Sequence, residues 1–287
     1  MIEDNTEDNK LSSIIAYVQN KLIENGITDE MEAKWLVSGA LKKKVNELLF
    51  VPSISAVDQQ NIKKVLSRRI KGEPLDKIFG EKEFFGLKFI VNTSVLSPRY
   101  ETEILVERVI EFAKQKKCDI LDLCTGSGCI AVSIKKNVNA NVFASDISES
   151  AIKVAKENSK LNGVNVKFVK SDLFNDLKRN QKYDIIVSNP PYIPKSDIEK
   201  LDKEVKNYDP HLALDGGEDG LRFYREIIKK GYEYLKKDGI LLFEVGESQA
   251  RKVKNLMKKD YEDIQIIKDY NNIERIVIGK KGNKNVK

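Results

Sequence analysis

From Pro98 onward the chain alternates short apolar runs with amphipathic stretches, and this alternation constrains the fold more than any other feature. Ile120 to Cys124, Asn141 to Ser145, Val166 to Val169, Tyr183 to Ser188 and Ile240 to Val245 have the length and β-branched content of buried strands. Ile130 to Lys136 and Ala151 to Leu161 have helical spacing and fall between them. Strand, helix and strand in succession build a parallel sheet covered on both faces. Two further strands, near Ile264 to Lys268 and Arg275 to Ile278, complete a seven-stranded sheet, and the lysine-rich tail from Gly279 is expected to fray.

Upstream the texture is different. Leu11, Ile14, Ile15, Val18 and Leu22 recur at helix spacing, and Gly26 closes the segment as a helix terminator does. A second helix starts near Thr28 or Asp29, with Trp35, Leu36, Ala40 and Leu41 as its apolar stripe, and Val57 to Ile70 makes a third. Gly72-Glu73-Pro74 breaks the pattern, and Phe84, Phe85, Leu87, Phe89 and Val91 around Gly86 read as a hairpin. The expected organisation is a helical domain over 1–73, a linker with a β-hairpin over 74–97, and an α/β domain over 98–282. Trp35 and the Phe84-Phe85 pair are expected in the core.

Composition removes several function classes. Apolar residues at 41% supply a core, and charged residues at 33% are of mixed sign, so a disordered chain is excluded and a soluble globular protein expected. The net charge of +6 leans toward acidic partners, yet no arginine-rich run marks a nucleic-acid arm. Cys118, Cys124 and Cys129 with the distant His211 make neither a disulfide framework nor a zinc set, so no metal is expected and a reducing compartment, the cytoplasm, is. The polar, acidic start from Met1 to Lys10 and the lack of a long apolar run leave no membrane segment.

The first strand of the α/β region runs into Asp122-Leu123-Cys124-Thr125-Gly126-Ser127-Gly128, a turn in which glycines let backbone approach a ligand closely. Asp146 ends the second strand 18 residues beyond Gly128, close to the spacing at which a carboxylate takes the hydroxyls of a ribose. Such a Rossmann-like site holds a nucleotide-like cofactor, and a nicotinamide enzyme is one reading of it, since Gly126-x-Gly128 with Ala131 is close to the dinucleotide fingerprint. Asp172-Leu173-Phe174, after the third strand, offers an acceptor for an adenine amino group and an apolar wall, or else a simple turn cap.

Asn189-Pro190-Pro191-Tyr192 follows the fourth strand and separates the two readings. Open parallel sheets hold ligands at the carboxyl ends of their strands, so this tetrapeptide faces the same crevice as the glycine turn. Hydride transfer has no use for it there. Methyl transfer from a sulfonium to a weak nitrogen nucleophile does, because positioning supplies much of its acceleration. The Asn189 side-chain oxygen accepts one substrate N–H and the Pro190 carbonyl the other, which aims the lone pair and favours the positive charge growing on nitrogen. The prolines stiffen the loop, and Tyr192 can stack on a planar amide or base.

With these residues the sequence resembles the PrmC/HemK family, the glutamine-N5 methyltransferases that modify the Gly-Gly-Gln loop of peptide chain release factors. The similarity includes Gly72-Glu73-Pro74 with Ile78-Phe79-Gly80, Glu83 to Leu87, and Leu96 to Glu103. It continues through Asn207-Tyr208-Asp209-Pro210, Ala213-Leu214, Asp215 to Leu221, Asp269-Tyr270 and Glu274-Arg275. The Asn-Pro-Pro-Tyr loop alone is shared with adenine-N6 DNA methyltransferases and ribosomal-protein glutamine methyltransferases. The resemblance implies a seven-stranded S-adenosylmethionine-dependent methyltransferase domain behind a small all-helical domain that helps dock the release factor. It implies that Cys124, Thr125, Gly126, Ser127, Gly128, Asp146, Leu173 and Asn189 hold S-adenosylmethionine. Asn189, Pro190, Pro191 and Tyr192 would hold the glutamine amide, with Asn189, Pro190 and Tyr192 serving the reaction. Neither a stable nucleic-acid complex nor a membrane is implied. Three positions depart from the family pattern: Cys124 stands where glycine is usual, Tyr100 where proline is, and Leu173 where some relatives carry tryptophan.

His211, between Pro210 and Leu212, reads as a solvated loop residue, and Glu199, Asp202 and Glu204 as a polar helix face.

Overall fold

A computed structural model describes residues 9–114 and 117–283 of the chain. It divides into two compact units, 1–80 and 81–287.

In the first unit, α1 (Leu11–Glu24), α2 (Glu32–Leu41), α3 (Ala56–Ile70) and the short α4 (Leu75–Phe79) are joined by a 3-10 turn at Val45–Phe50. Leu11, Ile14, Val18 and Leu22 of α1 meet Leu36 and Val37 of α2 and Ile62 and Leu66 of α3 in one core. The helical stripe of α1 is the one its spacing predicts, and Gly26 follows it in the left-handed conformation at φ +80°. Two expectations about α2 are corrected. Its stripe contains the predicted Leu36, Ala40 and Leu41 but is completed by Ala33 and Val37 instead of Trp35, which is 44% exposed rather than in the core. Asp29 does not cap it directly but accepts the Met31 N–H at 2.8 Å, and the helix begins at Glu32. At α3 the cap is Ser55, reciprocally bonded with Asp58.

The second unit opens with the hairpin β1 (Glu81–Phe84) and β2 (Leu87–Ile90). Phe85 and Gly86 both have positive φ, +51° and +67°, the requirement of a two-residue type I′ turn. Next come α5 (Glu101–Ala113), β3 (Asp119–Leu123), α6 (Cys129–Asn137), β4 (Asn141–Asp146), α7 (Glu149–Leu161), β5 (Lys167–Lys170) and β6 (Tyr183–Ser188). Two short helices, α8 (Lys195–Ile198) and α9 (Lys203–Tyr208), lead to α10 (Arg222–Tyr234), β7 (Leu235–Glu244), α11 (Ala250–Met257), β8 (Tyr261–Lys268) and β9 (Glu274–Lys281). The seven main strands lie in the order β5-β4-β3-β6-β7-β9-β8. From β5 to β7 the pairing is parallel. β9 runs antiparallel to both its neighbours, because the short β8–β9 connection permits only a hairpin.

Strand periodicity assigns the two faces. Ile120, Ile185, Val187 and Leu242 face α5 and α6 together with Phe84 and Phe89 of the hairpin, whereas Leu121, Ile186, Leu241 and Phe243 face α10 and α11. Both faces are therefore covered, as the continuous apolar runs require. β9 continues through Lys281, past the point at which the tail was expected to fray; Lys284 to Lys287 and the acidic start from Met1 to Asp8 lie outside the described residues. Among the described residues no helix is long and apolar enough to cross a membrane.

Candidate active site

The strand order reverses between β3 and β6, and both strands end at the same edge of the sheet. The Ser188 hydroxyl donates to the Leu123 carbonyl at 2.8 Å, tying the start of the Asn189 loop to the start of the glycine turn. A cavity of about 270 Å³ opens there, where a doubly wound sheet places its ligand. Cys124, Gly126, Asp146, Leu173, Asn189 and Pro191 line it. Thr125, Ser127 and Gly128 do not. They support the turn from below: the Thr125 hydroxyl donates to Asp122 at 2.6 Å, Ser127 is buried, and Gly128 sits against Ala155 of α7.

The turn depends on left-handed backbone at three of its five positions, Cys124 at φ +59°, Gly126 at +54° and Gly128 at +80°. Cys124 thus keeps the conformation that a glycine takes at no steric cost. Its thiol is pushed well up by burial, which makes it an inert wall rather than a nucleophile. Asp146 accepts the Gly126 N–H through one carboxylate oxygen and the Ser148 N–H through the other, each at 2.9 Å. Burial pushes its carboxyl up, and these N–H bonds oppose the shift. Each oxygen keeps a second acceptor direction for a ribose hydroxyl.

Leu173 is the opposite wall. It is also left-handed, at φ +49°, and the Ser171 hydroxyl fixes it by donating to its carbonyl at 2.8 Å. Asp172 lines the cavity, and its backbone carbonyl accepts the Asn175 N–H at 3.0 Å, which closes a turn after β5. Carboxylates at one side, an apolar wall at the other and close backbone between them suit a nucleoside cofactor.

Pro190 and Tyr192 face away from this cavity into a second one of about 260 Å³, also lined by Arg99, Glu101, Glu244 and Arg275. Leu96, Asn189 and Ala213 line both, so Asn189 stands in a wall common to the two spaces. Its amide nitrogen makes a long 3.4 Å contact to the Thr102 hydroxyl at the start of α5. Tyr192 is partly buried, and burial pushes its phenol up to about 12.

Several residues that hold the loop carry no signal in sequence spacing. Beyond Tyr192 the chain is strapped to 214–217: Ile193 donates to Leu214, Gly216 to Ile193 and Lys195 to Gly217, all at 2.9–3.0 Å. A Cβ on Gly216 would meet the Tyr192 backbone at 2.7 Å, which accounts for glycine at that position of the Asp215 to Leu221 segment. Gln249 donates to the Tyr192 carbonyl at 2.8 Å and accepts the Gly246 N–H at 3.0 Å. Arg99 pairs with the buried Asp209 at 3.1 Å, holding the chain that leads to Pro210, Leu212 and Ala213 beside the first cavity. Fully buried Asn158 of α7 donates to the Ser127 and Ile90 carbonyls, each at 2.9 Å, bracing the glycine turn against the hairpin. His211 is exposed and touches neither cavity.

Comparison with known proteins follows the same division of the chain. The family model described as "PrmC N-terminal domain" matches residues 13–80, and "Methyltransferase small domain" matches 100–207. A release factor glutamine methyltransferase of Thermodesulfovibrio yellowstonii is 43% identical over 86% of this chain and 91% of its own. One of Geobacter sulfurreducens is 38% identical over 95% and 97%. Among solved structures, a methyltransferase from Pyrococcus furiosus shares the fold, with a TM-score of 0.54 at 18% identity, covering 77% of this chain and all of that one. The identity, extended over nearly the full length of both relatives, shows that this chain belongs to the release factor glutamine methyltransferase family.

Proposed function

We propose that the protein transfers a methyl group from S-adenosylmethionine to the side-chain amide nitrogen (N5) of the glutamine in the Gly-Gly-Gln loop of a peptide chain release factor. The observation that carries this reading is the position of Asn189 in the wall between a nucleoside-type cavity and one lined by Pro190 and Tyr192. Family membership supplies the substrate class. Bound in the first cavity, S-adenosylmethionine supplies an electrophilic methyl group on a sulfonium. Asp146 would hold its ribose, Cys124 to Gly128 would approach it with backbone, and Leu173 would pack on its base.

The chain's own residues act on the acceptor. An amide nitrogen is a weak nucleophile because its lone pair is delocalised into the carbonyl. Asn189 Oδ1 and the Pro190 carbonyl accept its two hydrogens, hold the lone pair toward the shared wall and favour the positive charge that grows on nitrogen. Tyr192 stacks on the planar amide and Pro191 stiffens the loop between. Neither a stable nucleic-acid complex nor a membrane takes part in this reading, and the reaction belongs to the cytoplasm, where release factors work. The 1–73 segment would help dock the protein substrate.

The test is transfer of labelled methyl to a purified release factor. Label should appear on the wild-type factor and not on one whose Gly-Gly-Gln glutamine is replaced; label on both refutes the assigned site. Asn189→Ala should lower kcat by roughly a hundredfold, the usual loss for one aligned polar group.

A further inference from the structure

Asn189 can serve as an acceptor only if its amide group is held one way round. A side-chain amide has an oxygen on one branch and a two-donor nitrogen on the other, and a half-turn exchanges them. With the nitrogen toward the acceptor pocket, the site would repel the N–H groups that it has to receive.

What lies behind the amide decides the matter. Glu244 ends β7 beside Asn189; it is 3% exposed and lines the second cavity. The β6–β7 register pairs Ser188 with Phe243 and so sets Asn189 next to Glu244, whose carboxyl lies close to the Asn189 amide and the Thr102 hydroxyl, while Asn189 Nδ2 reaches Thr102 Oγ1 at 3.4 Å. An acceptor carboxylate and a hydroxyl thus stand on the nitrogen side. The Tyr224 hydroxyl donates to the Glu244 main-chain carbonyl at 2.9 Å, so the residue is pinned at the backbone as well. Oε2 of Glu244 has no hydrogen-bond partner among the described residues. A buried carboxyl whose only role was to hold the fold would be expected to have both oxygens satisfied.

The geometry points to Glu244 as a positioning residue for methyl transfer: with Thr102 it takes the Asn189 amide N–H and so turns Asn189 Oδ1 toward the methyl acceptor. This rests on the functional reading above for the identity of the acceptor, though not for the orientation of Asn189. The groups facing the carboxyl are Glu101 and Thr102 at the start of α5, Arg275 on β9, Tyr192 in the loop, Tyr224 on α10 and Cys129 at the start of α6. Burial pushes the carboxyl up to about 7, against the Thr102 hydrogen bond and the Arg275 charge. Only the ionised form is a full acceptor, so kcat/KM should rise with pH through about 7.

Two measurements on the full chain test this. In protein labelled with ¹⁵N-asparagine, the Asn189 side-chain amide resonances, assigned by their loss in Asn189→Ala, should shift with a midpoint near pH 7. Glu244→Gln should abolish that titration. In the methyl-transfer assay, Glu244→Gln should lower kcat by about 10- to 100-fold, the loss expected for a hydrogen bond to a charged group, with KM for S-adenosylmethionine unchanged. Combined with Asn189→Ala it should add nothing, because a positioning residue acts only through the residue that it positions. Wild-type kcat in Glu244→Gln overturns the proposal, and so does a wild-type Asn189 resonance that does not move across neutral pH. The wild-type titration decides alone if the variant does not fold. If the amide titrates as expected but no release factor accepts methyl, the substrate falls and the role of Glu244 stands.

Discussion

Gly128→Ala tests the glycine turn most directly, because its cost separates into two parts that Gly126→Ala divides. Both glycines are left-handed, and an added Cβ there costs about 1–2 kcal/mol in either variant. Gly→Ala also restricts the unfolded chain, which returns roughly 0.4–1 kcal/mol in both cases. The difference lies in space. A Cβ at Gly126 meets no atom within 4 Å, whereas one at Gly128 comes to 3.0 Å from the Ala155 Cβ and 3.2 Å from its Cα. Since the second contact is helix backbone, relief requires α7 to move, an overpacking cost of about 1–3 kcal/mol. Gly126→Ala should therefore lose about 0–1.5 kcal/mol, and Gly128→Ala about 1–4.5 kcal/mol, or roughly 2–18 °C in Tm for a unit of this size. Calorimetry on both variants reads this, with titration of S-adenosylmethionine as the second readout. Gly126, which lines the cavity, should weaken binding more than its stability loss suggests. Equal Tm values for the two variants would refute the reasoning that α7 is packed on Gly128.

Two other substitutions probe the buried polar groups. Burial pushes the Asp122 carboxyl up to about 7 from an ordinary 3.8, so its neutral form stabilises the fold fully at low pH and that stability is lost as pH rises through about 7. Asp122→Asn, which still accepts the Thr125 hydroxyl, should remove a penalty on the order of 4 kcal/mol at pH 8 and little at acid pH. Glu244 contributes a slope of the same sign, so the variant flattens the pH profile of Tm only in part, and an unchanged profile would show that the Asp122 carboxyl titrates in the folded protein as it does in the unfolded chain. Gln249→Ala leaves the Gly246 N–H and the Tyr192 carbonyl without their partner and should cost about 1–3 kcal/mol, with faster hydrogen exchange at the Gly246 amide as the local readout.

The α/β layout was legible because buried parallel strands are continuous apolar runs; β6 has the bounds its sequence predicts, and β3 to β5 lie within a residue or two of theirs. Amphipathic helices such as α10 and α11 were not read, since their apolar positions are spread among lysines and tyrosines. Trp35 failed for a related reason: it flanks the stripe of α2, and the smaller Ala33 and Val37 take the buried positions beside Leu36. At the site, residues adjacent in sequence were found together, whereas Asn158, Glu244 and Gln249 were invisible and Thr102 stood only within the Leu96 to Glu103 segment, without a role. Each acts across a gap of tens of residues, and only the closed sheet makes them neighbours. Cys124 is the reverse case. Its departure from glycine is plain in the sequence, but only the backbone angle shows that the turn has kept its shape.

Because Leu96, Asn189 and Ala213 belong to both cavities, the two spaces are divided by little more than single side chains. An occupant of either one narrows the freedom of the same partition. The second molecule then meets a surface whose ordering entropy has already been spent, so the two binding events are thermodynamically linked without any movement of the domain. Such linkage is reciprocal: on the assignment proposed above, the factor by which the cofactor would tighten the peptide equals the factor by which the peptide would tighten the cofactor.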